Sequence, residues 1–109
     1  MASTFDPSQL HILLVDDEED VVEVVSHFLE QEGFNVHKAY AGNDALEKAT
    51  PDIDLIVLDI MLPEMDGYEI CRRLRGRVET ETIPIVFLSA KGEEDDQVKG
   101  LMMGADAYL

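Results

Sequence analysis

Four consecutive apolar residues, Leu55-Ile56-Val57-Leu58, run straight into a carboxylate, Asp59. A run of this length, rich in β-branched side chains, predicts a strand buried on both faces, as in a parallel sheet. The turn that follows is punctuated by Pro63 and Gly67. In open α/β sheets, ligands bind beyond the carboxyl ends of the strands, where the strand order reverses. The question set for the rest of the chain is whether other strands bring groups to meet Asp59.

Two further runs do so. Leu10–Val15 reads as strand one and ends in Asp16-Asp17; Ile83–Leu88, with Pro84 near its start, reads as strand four and ends at Ser89. Between strands one and three, Glu18–Glu32 predicts a helix stopped by Gly33, with Val21, Val24, Val25, Phe28 and Leu29 as its apolar face. Residues 34–40 alternate and predict an edge strand, and 44–49 a short helix ended by Thr50-Pro51. After the Asp59 turn, Asp66 with Glu69 predicts a capped third helix that buries Ile70, Cys71 and Leu74. Arg72, Arg73, Arg75 and Arg77 read as its solvated side. A fourth helix buries Val98, Leu101, Met102 and Ala105, and Ala107-Tyr108-Leu109 opens a fifth strand.

Regular β–α alternation predicts an α/β fold: a flavodoxin-like doubly wound parallel sheet, strand order 2-1-3-4-5, with the fifth strand incomplete and the fifth helix missing. The expected organisation is a flexible N-terminal tail at 1–9 and one domain at 10–109. That order sets strand one beside strand three and strand three beside strand four, so Asp16, Asp17, Asp59 and Ser89 converge.

Composition narrows the chemistry. The net charge of −16, from 24 acidic and 8 basic residues, argues against direct nucleic acid binding, which needs a basic face. The single cysteine, Cys71, excludes an internal disulfide and a Cys-based metal site. No stretch approaches the roughly 18 apolar residues of a membrane span, and no signal peptide opens the chain, so a cytoplasmic location is expected.

Three carboxylates within about 5 Å of one another repel by roughly 3 kcal/mol per pair at an effective dielectric near 20. Protons or a cation must relieve this, and an all-oxygen donor set favours Mg²⁺ over zinc. An Asp beside bound Mg²⁺ can act as nucleophile toward a phosphoryl group, with Ser89 placed to hydrogen-bond it. The acidic Asp16–Asp20 stretch would repel the phosphate of a flavin nucleotide. An Asp-nucleophile phosphatase would want a second Asp two residues after Asp59, where this chain has Met61.

The motifs Ile12–Asp17, Leu58–Gly67, Pro84–Ala90 and Gly104–Leu109 resemble the receiver (response-regulator) domain of two-component signalling. The resemblance implies a phosphoacceptor switch and not an enzyme with an external product. It implies that Asp59 takes a phosphoryl group from a phosphohistidine of a histidine kinase or histidine phosphotransfer protein. It further implies that Asp16, Asp17, Asp59 and the Met61 backbone carbonyl hold Mg²⁺, that Ser89 moves onto the phosphoryl group, and that Tyr108 is the aromatic turning inward with it. Met61 and Lys91 take positions that tune aspartyl-phosphate hydrolysis in the family. The family pattern continues into a Lys-Pro pair and a fifth helix beyond Leu109, so the expectation is a C-terminally truncated domain that covers its bared helix sides as a homodimer, by domain swapping. The alternative is a non-phosphorylated, receiver-like interaction module.

The three histidines, His11, His27 and His37, share no metal-ligand spacing and read as surface or boundary residues.

Overall fold

In the computed structural model, which describes residues 6–88 and 107–108, apolar runs and helical segments alternate along the chain. The elements are β1 (His11–Val15), α1 (Glu19–Gln31), β2 (Asn35–Ala39), α2 (Gly42–Lys48), β3 (Leu55–Asp59), α3 (Gly67–Arg75), β4 (Ile85–Leu88) and β5 (Ala107–Tyr108). They form one sheet in the order β2-β1-β3-β4-β5, with every neighbouring pair parallel. That is the order expected from the sequence. The fourth helix expected before β5 lies outside the described residues. No helix among the described residues is long and apolar enough to cross a membrane.

The main core lies on one face of the sheet. Leu13 and Val15 of β1, Ile56 and Leu58 of β3, and Ile85 and Phe87 of β4 pack there with Leu46 of α2 and Ile70, Cys71 and Leu74 of α3. Alternation along a strand sends the intervening side chains to the other face. There Ile12, Leu14 and Val22 are buried, whereas Leu55 and Val57 of β3 are only half-buried. The expectation that Leu55–Leu58 is buried on both faces is therefore corrected. α2 and α3 pack together and cover one face, while α1 packs against β1 and β2 on the other.

The apolar face expected for α1 is corrected as well. Val22 and Ser26 are the buried positions, and Val24 and Phe28 are 56% and 63% exposed. Val21, Val25 and Leu29 of the expected stripe are half-buried, so the helix is turned to set Val22 and Ser26 inward and Val24 and Phe28 outward. At the helix end Gly33 takes φ +95, a left-handed conformation that favours glycine, and the Phe34 N–H returns to the Leu29 carbonyl. The N-terminal segment is tied down from Asp6. Pro7–Gln9 forms a 3₁₀ turn capped by Asp6, and the Asn35 amide donates to the Ser8 carbonyl at 2.6 Å.

The arginines of α3 are not simply a solvated face. Arg72 and Arg73 grip Glu69 and hold its carboxyl down to about 2. Arg75 Nη1 donates to the carbonyls of Glu81 and Ile83 at 3.1 and 2.8 Å, and Arg77 Nη1 to that of Leu46 at 2.9 Å. These bonds staple the α3–β4 connection, which carries the Pro84 break that delays β4 to Ile85. Replacing Arg75 by Met keeps the aliphatic stem and removes the donors. It is expected to lower stability by about 1–3 kcal/mol in urea unfolding, since charged donors to carbonyls are worth this much; an unchanged midpoint would refute the staple.

Candidate functional site

Two strand ends build the site. β1 stops at Val15, and its ladder delivers Asp16, whose N–H bonds to the Ala39 carbonyl at 3.1 Å. Asp16 is buried, and its Oδ1 accepts the Glu18 N–H at 2.9 Å, which starts α1 beside the carboxylate. Asp17, next in sequence, is exposed. β3 sits beside β1 with Leu58 opposite Val15, so Asp59 emerges at the same end. The three side chains each place a carboxylate oxygen within 4.8 Å of the other two. The convergence expected from the strand order is realised for these three residues.

Asp59 is half-buried, and its carboxyl is raised from 3.8 to about 6. Burial is the main cause, and the Asp16 charge the second; the Met61 N–H, donating to Oδ1 at 3.3 Å, pulls the other way. The charge of Asp17 adds to the rise. Desolvation and like charge both penalise the ionised form, so the group calls for a proton or a cation. An all-oxygen set of this size is a fit for a hard divalent cation, with room left for waters or a ligand oxygen.

The loop after Asp59 is folded back onto the strand end. The Leu62 and Gly67 N–H groups both donate to the Ile60 carbonyl, at 3.1 and 2.9 Å, and Met65 N–H donates to the Pro63 carbonyl at 2.6 Å. Glu64 takes φ 66, a left-handed conformation uncommon outside glycine. Gly67 lies against the Asp59 and Ile60 backbone, and an added Cβ would come within 2.9 Å of Ile60 Cα. Asp66 then caps α3 by accepting the Glu69 N–H at 2.9 Å. Only half of the expected capping box forms, because the Glu69 carboxylate is taken by the arginines. Beneath the loop, Tyr68 packs edge-on against Phe87 with ring centroids 5.3 Å apart. Met61 stands 61% exposed beside Asp59.

Of the site residues expected from the sequence, Asp16, Asp17 and Asp59 come together, with Met61 hydrogen-bonded to Asp59 through its amide. Ser89, Lys91 and the Tyr108 side chain lie outside the described residues. β4 aligns Leu88 with Asp59, so the strand leading to Ser89 ends level with the carboxylates. Sequence reasoning missed a contact at the opposite end of the sheet. His11 Nδ1 and His37 Nε2 lie 2.9 Å apart, although the spacing of the histidines gave no sign of it. The signal was in the register: parallel pairing of His11 with Asn35 puts His37 two residues along the same side of the ladder.

Comparison with known proteins agrees with this geometry. A family model described as the response regulator receiver domain matches residues 12–109. The alkaline phosphatase synthesis transcriptional regulatory protein PhoP of Bacillus subtilis (strain 168) is 50% identical over 99 residues, covering 90% of this chain and 40% of that protein. The chain thus spans well under half the length of this curated relative. Among solved structures, chemotaxis protein CheY4 of Vibrio cholerae superposes with a TM-score of 0.87 at 30% identity, covering 93% of this chain and 85% of that one. The CheX–CheY–BeF₃–Mg complex from Borrelia burgdorferi gives a TM-score of 0.85 at 29% identity, covering 92% and 76%. With three carboxylates at adjoining strand ends and a family match over nearly its whole length, this chain belongs to the response regulator receiver domains.

Proposed function

We propose that Asp59 is the phosphoacceptor of a two-component signalling switch. The observation that carries the reading is the half-buried Asp59 carboxylate at the end of β3, within 4.8 Å of Asp16 and Asp17. The donor is a phosphohistidine of a histidine kinase or phosphotransfer protein. An Asp59 carboxylate oxygen bonds to phosphorus, the phosphorus–nitrogen bond breaks, and the histidine nitrogen leaves with the electron pair and takes a proton. A carboxyl at about 6 is mostly ionised at neutral pH, and it is a stronger nucleophile than an ordinary aspartate. Asp16, Asp17 and Asp59, with the Met61 carbonyl, would hold Mg²⁺. Bound there, the ion would neutralise the carboxylates and the transferring phosphoryl oxygens. The similar Borrelia CheY, whose complex contains magnesium and beryllofluoride, supports the same pairing here.

In this reading Ser89 donates its hydroxyl to the phosphoryl group and Tyr108 turns inward with it, changing the surface a partner meets. The aspartyl phosphate is removed by water, and exposed Met61 controls how closely water approaches. The switch works in the cytoplasm, where such kinases keep their phosphohistidine.

Intact mass after incubation with Mg²⁺ and a small phosphodonor tests the proposal. The chain is expected to gain one phosphoryl group, Asp59→Asn none, and Asp16→Asn to gain it at least tenfold more slowly. A folded wild-type chain that gains nothing, or an Asp59→Asn chain that gains as much as wild type, sinks the proposal and leaves the non-phosphorylated module as the better reading.

A further inference from the structure

The loop after β3 carries two thioethers in opposite settings. Met61, next but one to Asp59, is 61% exposed. Met65 packs against the core, and a Cβ placed on Gly42 would stand 3.2 Å from its sulfur. Among the described residues these are the two methionines. A thioether is oxidised where an oxidant can reach it, so a small oxidant meets Met61 and is kept from Met65.

The backbone fixes where the exposed thioether stands. The Met61 N–H donates to Asp59 Oδ1 at 3.3 Å, and the Leu62 N–H donates to the Ile60 carbonyl at 3.1 Å. The Leu62 side chain is buried on the far side. Met61 is thus tied down at both ends, and its side chain projects to solvent next to the carboxylate that its own amide touches. A thioether there is apolar and only a weak acceptor, so it sheds water. A sulfoxide is polar, and its oxygen is an acceptor that holds water.

We infer that Met61 is a reversible oxidation site for hydroperoxides, whose sulfoxide shortens the life of the aspartyl phosphate. The inference rests on the reading of Asp59 as the phosphoacceptor. With hydrogen peroxide, the Met61 sulfur attacks one oxygen, an S–O bond forms and the O–O bond breaks. Sulfur loses two electrons and the peroxide gains them. The proton on the transferred oxygen passes to the leaving hydroxide, which departs as water. A thiol-dependent sulfoxide reductase reverses the change. The sulfoxide oxygen accepts a hydrogen bond from a water beside Asp59 and holds it in place to attack phosphorus. Oxidation therefore shortens the time for which the switch stays on.

The test treats the whole chain with hydrogen peroxide and maps the product by peptide mass. Met61 is expected to gain oxygen before Met65. The oxidised and untreated chains are then phosphorylated with Mg²⁺ and a small phosphodonor, the donor is removed, and loss of the phosphoryl group is followed by intact mass. Hydrolysis is expected to be faster in the oxidised chain by about threefold or more, as for a water aligned by an added acceptor. Methionine sulfoxide reductase should restore the slower rate. Met61→Leu has no sulfur at this position, so peroxide should leave its own hydrolysis rate unchanged; because Met61 is exposed the variant keeps its fold, which thermal unfolding checks. Oxidation of Met65 ahead of Met61, equal hydrolysis rates in treated and untreated wild type, or an equal peroxide response in Met61→Leu overturns the inference and leaves the phosphoacceptor reading standing. An untreated chain that gains no phosphoryl group removes both.

Discussion

Gly67→Ala is expected to be the most damaging single substitution near the site, costing about 3 kcal/mol and displacing Asp59. The added methyl group would collide with the Asp59 carbonyl oxygen and lie 2.9 Å from Ile60 Cα and 3.1 Å from the Asp59 carbonyl carbon. All three are backbone atoms, so no side chain can swing aside. The same backbone is held by the Gly67 N–H to the Ile60 carbonyl, and that bond must stretch as well. Overpacking a rigid contact costs about 1–3 kcal/mol, occasionally more, and a backbone collision belongs at the top of that range. Urea unfolding reads the stability. Phosphoryl uptake, measured where the variant is still folded, reads the displacement of Asp59. A variant with wild-type midpoint and uptake would show that the loop has slack which the close contact denies.

The second large effect is a gain. In the absence of divalent cations, Asp59→Asn is expected to be more stable than the wild type at pH 7. A rise from 3.8 to about 6 corresponds to about 3 kcal/mol of penalty on the ionised form. Half-burial leaves part of that screened by solvent, so about 1–2 kcal/mol is expected, or roughly 5–10 °C in Tm. The sign follows from the direction of the shift. The folded state binds the proton more tightly than the unfolded chain, so stability falls as pH rises. The penalty is absent below about pH 4 and complete above about pH 6. Melting curves of the two proteins should therefore coincide near pH 4 and separate between pH 4 and 7. Millimolar Mg²⁺ should close the gap by stabilising the wild type alone. If the Asn variant melts lower at pH 7 in chelator, the carboxylate cluster is held by bonds that outweigh its repulsion.

The strand order and the carboxylate cluster were legible in the sequence because both rest on features that survive without coordinates. Short apolar runs ending in Asp16 and Asp59 mark strand ends, and alternation with helices leaves few topologies. Side-chain burial was less legible, because it depends on which neighbours cover which face. Val24 and Phe28 are apolar at helical spacing, yet Val22 and Ser26 take the buried positions of the helix in their place. Arg75 looked like solvent-facing charge because nothing in its neighbours reveals that the chain returns beneath it at Glu81 and Ile83. The His11–His37 contact depends on a register of pairing between strands 24 residues apart, which local pattern does not encode.

The place of β1 in the sheet has a consequence for synthesis. β1 hydrogen-bonds β2 on one edge and β3 on the other, and its Leu13, Leu14 and Val15 are fully buried. As the chain leaves the ribosome, β1 is made well before its second partner, which arrives only with residues 55–59. Until then a strand built for complete burial has one free edge, and only α1 and α2 are at hand to cover its faces, a condition in which nascent chains stick to one another. Parallel pairing allows no short hairpin to shorten the wait. The first half of this domain is therefore the stretch that a ribosome-associated chaperone would be expected to shield, and emergence of β3 from the ribosome is the moment at which that shielding can end.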